Sequence, residues 1–127
     1  MSGLSLGVLA AQTTFVPVSA TGGTVTTPGD GYTYHTLTGS GDLVVSSGGI
    51  VDYLIVAGGG ATYGANANSG GAGAGGYLSG TFTVSATTYT FVIGAGGSNT
   101  PGASGWSKGN DTTGLSLTAI GGGGYDT

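Results

Sequence analysis

The sequence predicts an all-β protein: an antiparallel β-sandwich with long glycine-rich loops and an extended N-terminal arm. Two observations support this fold class. Short apolar runs alternate with polar residues at period two, which is typical of strands with one buried face. Glycine fills 31 of the 127 positions and lies mainly between these runs, and no long stretch shows the period of roughly 3.6 that helices need. We divide this single domain into an arm at 1–29 and a glycine-rich β domain at 30–127.

Six runs predict the strands of this domain, at 32–38, 42–46, 50–57, 78–85, 88–93 and 115–120. The run 78–85 alternates strictly between apolar and hydroxyl-bearing or small residues, so one face should be buried and one wet. The run 50–57 is apolar on both faces except at Asp52, which predicts a central strand. The connection between 78–85 and 88–93 is short enough for an antiparallel hairpin, although it lacks the usual Asn-Gly or Asp-Gly turn signal.

The N-terminal arm carries apolar residues that have no evident place in the predicted sandwich. We expect these residues to attach the domain to a neighbour or to clasp copies of the chain together. They are Leu4, Leu6, Val8, Leu9, Phe15, Val16 and Val18.

Two long loops rich in small residues, 58–76 and 94–114, follow strands directly, and glycines also follow the last strand. If 78–85 and 88–93 form a hairpin, both loops emerge at the same end, which is then the candidate working surface. Within 58–76 a small residue stands at every third position, which suits polyproline-II-like segments packed side by side. We therefore expect Gly70, Gly73 and Gly76 to lie at close-packed positions or to adopt positive φ.

Four aromatic residues, Tyr63, Tyr77, Trp106 and Tyr125, lie in or beside the glycine loops. They could pin the loops onto the core. They could equally form a stacking surface for a glycan or a protein receptor, because Tyr and Trp among small residues are common at binding surfaces.

The charged residues are too few for most kinds of chemistry. The chain has one basic and five acidic residues, one histidine and no cysteine. This composition argues against nucleic-acid binding, membrane insertion and thiolate chemistry, and it predicts a protein that is not an enzyme and has no metal or cofactor. The G-x-G-x-x-G pattern at 71–76 precedes a strand instead of a helix, so it does not indicate a dinucleotide site. His35 is expected to be structural.

Several blocks of the chain resemble the glycine-rich domain of bacteriophage tail-fibre and related virion proteins. The resemblance spans about residues 30–124. It rests on the order of strand and glycine blocks at 34–38, 41–46, 51–60, 73–84, 89–97 and 117–124. It implies a β-rich part of a fibre or adhesin that meets the host surface, often as a trimer, and it supplies no catalytic residues.

We therefore expect a non-enzymatic structural subunit of a virion fibre, in the tail or the head, located on the virion or outside the cell. The expected partners are copies of the chain, as a homotrimer or a helical array, and other virion proteins held by the arm. A host-surface glycan or protein could meet the loop end. Two alternatives remain open at this point: a capsid decoration protein, and a self-assembling bacterial surface filament or adhesin with O-glycosylated Thr and Ser.

Overall fold

The computed structural model describes residues 15–62, 71–98 and 107–124. Within these ranges the chain forms nine strands and no helix. The strands are β1 (Ser19–Thr21), β2 (Thr24–Thr26), β3 (Tyr34–Thr36), β4 (Gly41–Ser47), β5 (Gly49–Val56), β6 (Tyr77–Val84), β7 (Thr88–Phe91), β8 (Thr112–Gly114) and β9 (Leu117–Ala119).

All strand pairs in the described ranges are antiparallel, which confirms the all-β prediction. β1, β4 and β7 form a three-stranded sheet in that order, and β5 pairs with β6 over eight residues. Two small hairpins, β2–β3 and β8–β9, complete the set, and a bridge from Val92 to Thr113 links β7 to β8. The arrangement of two packed sheets in one sandwich stays a prediction.

The main core cluster is formed by inward side chains of β4, β5, β6 and β7, together with Leu115 and Leu117. Val45, Val84 and Leu115 are buried at its centre, surrounded by half-buried residues that include Val18, Phe82 and Tyr89. Each strand contributes every second residue to this cluster, as the period-two pattern predicts. A second buried cluster of Ile55, Ala57 and Ala119 lies where β5 and β9 end, just before the chain enters its glycine segments.

The predicted hairpin of 78–85 with 88–93 is wrong. β6 pairs with β5, whereas β7 pairs with β4. The Val45 amide donates to the Thr87 carbonyl at 2.9 Å, so the connection after β6 carries the chain across to the β4 sheet. The eight-residue ladder with β5 satisfies far more backbone groups than a short hairpin with β7 could, which explains the pairing.

The prediction of a central, fully buried strand at 50–57 is also wrong. β5 forms a ladder with β6 alone among the described strands. Its outward residues Ile50, Leu54 and Val56 are 72%, 64% and 52% exposed. We call this surface the β5–β6 outer face. It comprises Ile50, Asp52, Leu54 and Val56 of β5 and Tyr77, Ser79, Thr81 and Thr83 of β6.

The last predicted strand, 115–120, is in fact half of a tight hairpin. β8 ends at Gly114, β9 begins at Leu117, and the two residues between them both have positive φ, 53° at Leu115 and 60° at Ser116. These values match the turn type that best fits the twist of a two-residue hairpin. The two turn positions do not carry the usual Asn-Gly or Asp-Gly pair. The first is occupied by Leu115, whose side chain is buried in the core cluster.

Replacing Ser116 by glycine should stabilise the protein, because positive φ costs an L-residue roughly 1–2 kcal/mol and costs glycine almost nothing. We expect the free energy of unfolding to rise by about 1 kcal/mol, measured by denaturant titration. The control is Ser79→Gly, which removes a side chain from the interior of β6 and should lower stability. A Ser116→Gly protein less stable than the original would show that the turn is unstrained.

Two strands fall within the segment that the sequence assigned to the arm. β1 pairs with β4, with Ala20 opposite Val45, so residues 19–21 are part of the three-stranded sheet. β2 pairs with β3, and His35 on β3 donates from Nδ1 to the Gly22 carbonyl at 2.9 Å. The predicted strand 32–38 is shorter than expected, because Asp30 and Tyr32 belong to a turn stabilised by the Asp30 carboxylate.

Removing the hydroxyl of Tyr34 should raise the pKa of Asp30. This hydroxyl donates to Asp30 Oδ2 at 2.7 Å and is the main cause that lowers the pKa of Asp30; the Tyr32 amide is the second. The same bond raises the pKa of Tyr34. By linkage, the contribution of Asp30 to stability is present above its unfolded-state pKa and is lost as pH falls through the depressed folded value. That of Tyr34 is present below its unfolded-state pKa and is lost as pH rises through the raised folded value.

Carboxyl NMR titration of Tyr34→Phe measures this effect. Tyr32→Phe is the matched control, because Tyr32 contacts Asp30 through its backbone amide. An Asp30 pKa that is the same in Tyr34→Phe and in the original protein would contradict the assignment.

Candidate functional site

Five segments, four of them glycine-rich, pack together beyond the ends of the strands. β5, β7 and β9 each lead into one of these segments, at 57–61, 94–98 and 120–124. β6 and β8 are each preceded by one, at 71–76 and 107–111. We call this assembly the glycine bundle. Its segments are 57–61, 71–76, 94–98, 107–111 and 120–124.

The hydrogen bonds between the segments recur every three residues along the chain. Neighbouring segments run antiparallel, and each of four pairs of segments is joined by two such amide-to-carbonyl bonds. The amides of Ala57 and Gly60 donate to Gly76 and Gly73, and those of Gly58 and Ala61 donate to Asn110 and Ser107. The amides of Gly73 and Gly76 donate to Gly123 and Ile120, and those of Ser107 and Asn110 donate to Ser98 and Ala95. A β-ladder repeats every two residues. A three-residue repeat is that of the polyproline II helix, whose amides and carbonyls point outward and are free to bond to neighbours.

The pattern of bonds describes two layers. Segment 57–61 lies at the centre and bonds to all four others. Segments 94–98 and 71–76 flank it in one layer, and 107–111 and 120–124 lie against it in the second. Amides and carbonyls of these segments are thus hydrogen-bonded between segments without forming a β-strand. These bonds are what keeps a long glycine-containing loop ordered in a compact domain.

The glycines at the centre of the bundle are required by packing and not by backbone conformation. Gly58, Gly109, Gly121 and Gly122 are buried, and a Cβ built on any of them would run into backbone atoms of another segment. Their φ values lie outside the positive range, so an L-residue could adopt the same backbone. Only the absence of a side chain lets the segments approach this closely, as in other packed three-fold helices.

The glycines named from the sequence fall into this scheme in part. A Cβ at Gly73 would lie 2.8 Å from the Gly123 nitrogen, and one at Gly76 would lie 2.7 Å from the Ile120 oxygen, so both are close-packed positions. Gly70 lies outside the described residues. Gly58, Gly121 and Gly122 were not named from the sequence, although they stand in glycine blocks that directly follow strands. Gly109 is a single glycine ahead of β8, and nothing in the sequence marks it.

All the connections of the bundle leave from one end. Residues 61, 73, 98, 107 and 123 are joined by hydrogen bonds or direct contact at the end opposite the strands, which we call the far end. The chain leaves the described residues there after 62, 98 and 124 and returns there at 71 and 107. The expectation that the two long loops share one end of the domain therefore holds, although the hairpin from which it was argued does not form.

Of the four aromatic candidates, Tyr77 lies within the described residues. Tyr77 is exposed at the start of β6, on the β5–β6 outer face, and its hydroxyl donates to Ser79 Oγ at 3.0 Å. Tyr63, Trp106 and Tyr125 lie outside the described residues. In the sequence each of these three stands next to a described residue of the far-end region: Thr62, Ser107 and Gly124.

The arm residues also divide. Phe15 and Val16 are 89% and 63% exposed. Val18 packs against the core cluster, which differs from the expectation that the whole arm stands apart from the domain. Leu4, Leu6, Val8 and Leu9 lie outside the described residues.

Few groups with acid–base or ligand chemistry lie near the bundle. The Asp111 carboxylate accepts the Gly121 amide at 2.8 Å and lies 3.8 Å from Lys108 Nζ, so it is used to hold segment 120–124 in place. Among the described residues no three His, Cys, Asp or Glu side chains come together as they would around a metal ion. No helix long and apolar enough to cross a membrane occurs in the same residues.

One comparison with known proteins gives a match. The family model described as a glycine-rich domain matches residues 35–127. This range includes the whole glycine bundle and every strand from β4 onward. Neither the curated proteins nor the solved structures contain a significant match.

Proposed function

This chain belongs to the glycine-rich domain family, and from that premise we propose that it is a non-enzymatic structural subunit of a bacteriophage virion fibre. The far end of the glycine bundle is the part that meets the host surface. The observation that carries the proposal is the bundle itself: a platform held by backbone hydrogen bonds, in which residues 61, 73, 98, 107 and 123 come together at the end opposite the strands. Loops mounted on a rigid scaffold are the usual carriers of recognition.

The chemistry of the platform favours binding over catalysis. Its inner segments present backbone and small residues, and Asp111, its one carboxylate in the described segments, is engaged with the Gly121 amide. Recognition would then depend on the segments that adjoin the bundle in sequence, which contain Tyr63, Trp106 and Tyr125. Tyrosine and tryptophan provide large contact areas at low entropic cost.

Assembly into a multimer is supported by the described surface. Only 5% of the residues are charged, well below the roughly 25–35% typical of well-solvated designed surfaces. Exposed apolar side chains occur on several strands and at the bundle, including Val25, Val44, Val92 and Ile120. Packing copies of the chain together would cover such residues and the sheet edges, whose described strands carry one charged side chain, Asp52, to deter pairing.

Host-surface binding can be tested with intact bacterial cells. Fluorescently labelled full-length protein should adhere to some strains of a broad panel. The triple variant Tyr63→Ala, Trp106→Ala, Tyr125→Ala should lose at least about tenfold in binding, because stacking anchors dominate such interfaces. Tyr77→Ala is the control, since Tyr77 lies at the other end of the bundle. Equal binding by the triple variant and the control would contradict the far-end assignment.

Sedimentation velocity of the full-length protein tests the structural role. A trimer or a larger regular assembly at micromolar concentration is the expected result. A stable, folded monomer throughout that range would contradict a fibre subunit that assembles from copies of itself.

A further inference from the structure

Two exposed tyrosines and a carboxylate lie together where the chain enters β3. Tyr32 and Tyr34 are 58% and 45% exposed, and their ring centroids are 6.1 Å apart, with the ring planes inclined by 44°. The Asp30 carboxylate lies beside them and is hydrogen-bonded to both residues. We propose that these three residues, which we call the tyrosine-pair site, bind a quaternary ammonium group. The proposal does not rest on the role in a virion fibre.

Hydrogen bonds hold the parts of the site in place. Tyr34 stands on β3, opposite Thr26 of β2, and its hydroxyl donates to Asp30 Oδ2 at 2.7 Å. The Tyr32 amide donates to Asp30 Oδ1 at 3.0 Å, which is the bond that closes an Asx-turn. The carboxylate is therefore fixed relative to both rings before any ligand arrives, and this lowers the entropic cost of binding.

The Asp30 carboxylate is charged and lacks a cationic partner among the described residues. The Tyr34 hydroxyl and the Tyr32 amide lower its pKa, so it is ionised at neutral pH, yet both of these donors are neutral groups. Lys108, the single basic side chain of the sequence, lies 3.8 Å from Asp111. The charge of Asp30 is thus available to a ligand, and the net charge of −4 favours the approach of cations.

The two rings add attraction for the same kind of ligand. The face of a tyrosine ring is negative and attracts a cation that lies within about 6 Å of the ring centroid. Because the centroids of Tyr32 and Tyr34 are 6.1 Å apart, one cation can lie within that distance of both. The inclination of the planes disfavours a neutral sugar, because a sugar ring cannot lie flat on both rings at once.

The hydrogen-bonding groups of the site select among cations. A primary ammonium group carries three N–H donors and is strongly hydrated, so it needs acceptors that replace its water. The site offers the Asp30 carboxylate, and each of its two oxygens already accepts one hydrogen bond. A quaternary ammonium group has no donor to satisfy, and its methyl groups can pack against the exposed rings.

NMR titration of the full-length protein with three small probes tests this selectivity. Choline carries a quaternary ammonium group, ethanolamine carries a primary one, and 3,3-dimethylbutan-1-ol is the neutral isostere of choline. Sodium chloride keeps the ionic strength constant, because salt screens exposed charges. We expect choline to shift the amide signals of Tyr32 and Tyr34 saturably, with an affinity at least about tenfold higher than that of either other probe.

Matched variants locate the contact. Tyr32→Leu should weaken choline binding at least about fivefold because it removes one ring, whereas Tyr77→Leu, at another exposed tyrosine, should leave it unchanged. Asp30→Asn removes the charge and keeps an Asx side chain for the turn, so it should weaken binding to a similar extent. Asp42→Asn is its control, since the Asp42 carboxylate accepts the Thr90 hydroxyl on another part of the surface.

Several outcomes would overturn the proposal. Absence of saturable choline shifts would do so directly. Equal affinities for choline and its neutral isostere would mean that only apolar contact is made, and tighter binding of ethanolamine would mean that the rings do not select the ligand. Choline binding that is unchanged in Tyr32→Leu and Asp30→Asn would place the contact elsewhere. Saturable shifts of the same signals by methyl glucoside, without shifts by choline, would identify a site for a neutral sugar.

Discussion

Gly122→Ala should lower the free energy of unfolding by about 3 kcal/mol, the upper end of the usual cost of overpacking. A Cβ at this buried position would run into the carbonyl groups of Gly73 and Ala74. These are backbone atoms held by hydrogen bonds to segments 57–61 and 120–124, so they cannot move aside as a side chain would. The adjacent Gly123→Ala should change stability by less than about 1 kcal/mol, because a Cβ there meets no atom within 4 Å.

A second pair in the central segment repeats the comparison. At Gly58 a Cβ would collide with the Ala95 carbonyl, whereas at Gly59 the nearest atom is the Gly73 oxygen at 3.8 Å. Gly58→Ala should therefore be strongly destabilising and Gly59→Ala nearly neutral. Denaturant titration monitored by circular dichroism measures all four variants. If the two members of each pair had similar stabilities, the bundle would be loosely packed and its glycines would serve flexibility alone.

Deleting residues 1–21 should destabilise the domain by about 3–5 kcal/mol, comparable to the loss of a large core side chain. The deletion removes β1 from the edge of the three-stranded sheet and takes Val18 and Ala20 away from the core. A domain with a total stability of roughly 5–15 kcal/mol would lose a large fraction of it.

Deleting only residues 1–14 should retain the fold, with a loss of about 1 kcal/mol or less, because every described strand and core residue is still present. Thermal unfolding of the two truncated proteins separates these effects. Equal melting temperatures would show that β1 contributes nothing, contrary to its pairing with β4.

The sequence predicted strand positions well where alternation was clear, and it failed where pairing depended on distant residues. The run at 78–84 forms β6 as expected, because each apolar residue had a polar neighbour. The partner of β6 could not be predicted, since its ladder with β5 joins two strands that are separated by twenty residues of the chain. Leu115 and Ser116 were misassigned to a strand because nothing local marks a turn that is imposed by burial of the Leu115 side chain.

The bundle was only partly predictable for a related reason. A three-residue period of small residues at 58–76 pointed to packed three-fold helices, yet composition alone gives such a run often in so glycine-rich a chain. What distinguishes Gly122 from Gly123 is the presence or absence of a neighbouring backbone in three dimensions. That information resides in five segments far apart in sequence. The two long loops start at the same end of the domain as expected, although the hairpin from which this was argued does not form.

The antiparallel order of the bundle segments determines how the domain responds to mechanical load. The hydrogen bonds between segments run across the bundle, roughly perpendicular to its axis, as in packed extended chains. A force applied at the far end, where the chain passes residues 62, 98 and 124, pulls each of these segments along that axis. The hydrogen bonds between segments, which lie across the direction of the force, are then all loaded in shear at the same time and do not break one after another. Resistance to pulling would be governed by the unfolding rate of the whole bundle, and a lengthened connecting segment would leave it unchanged.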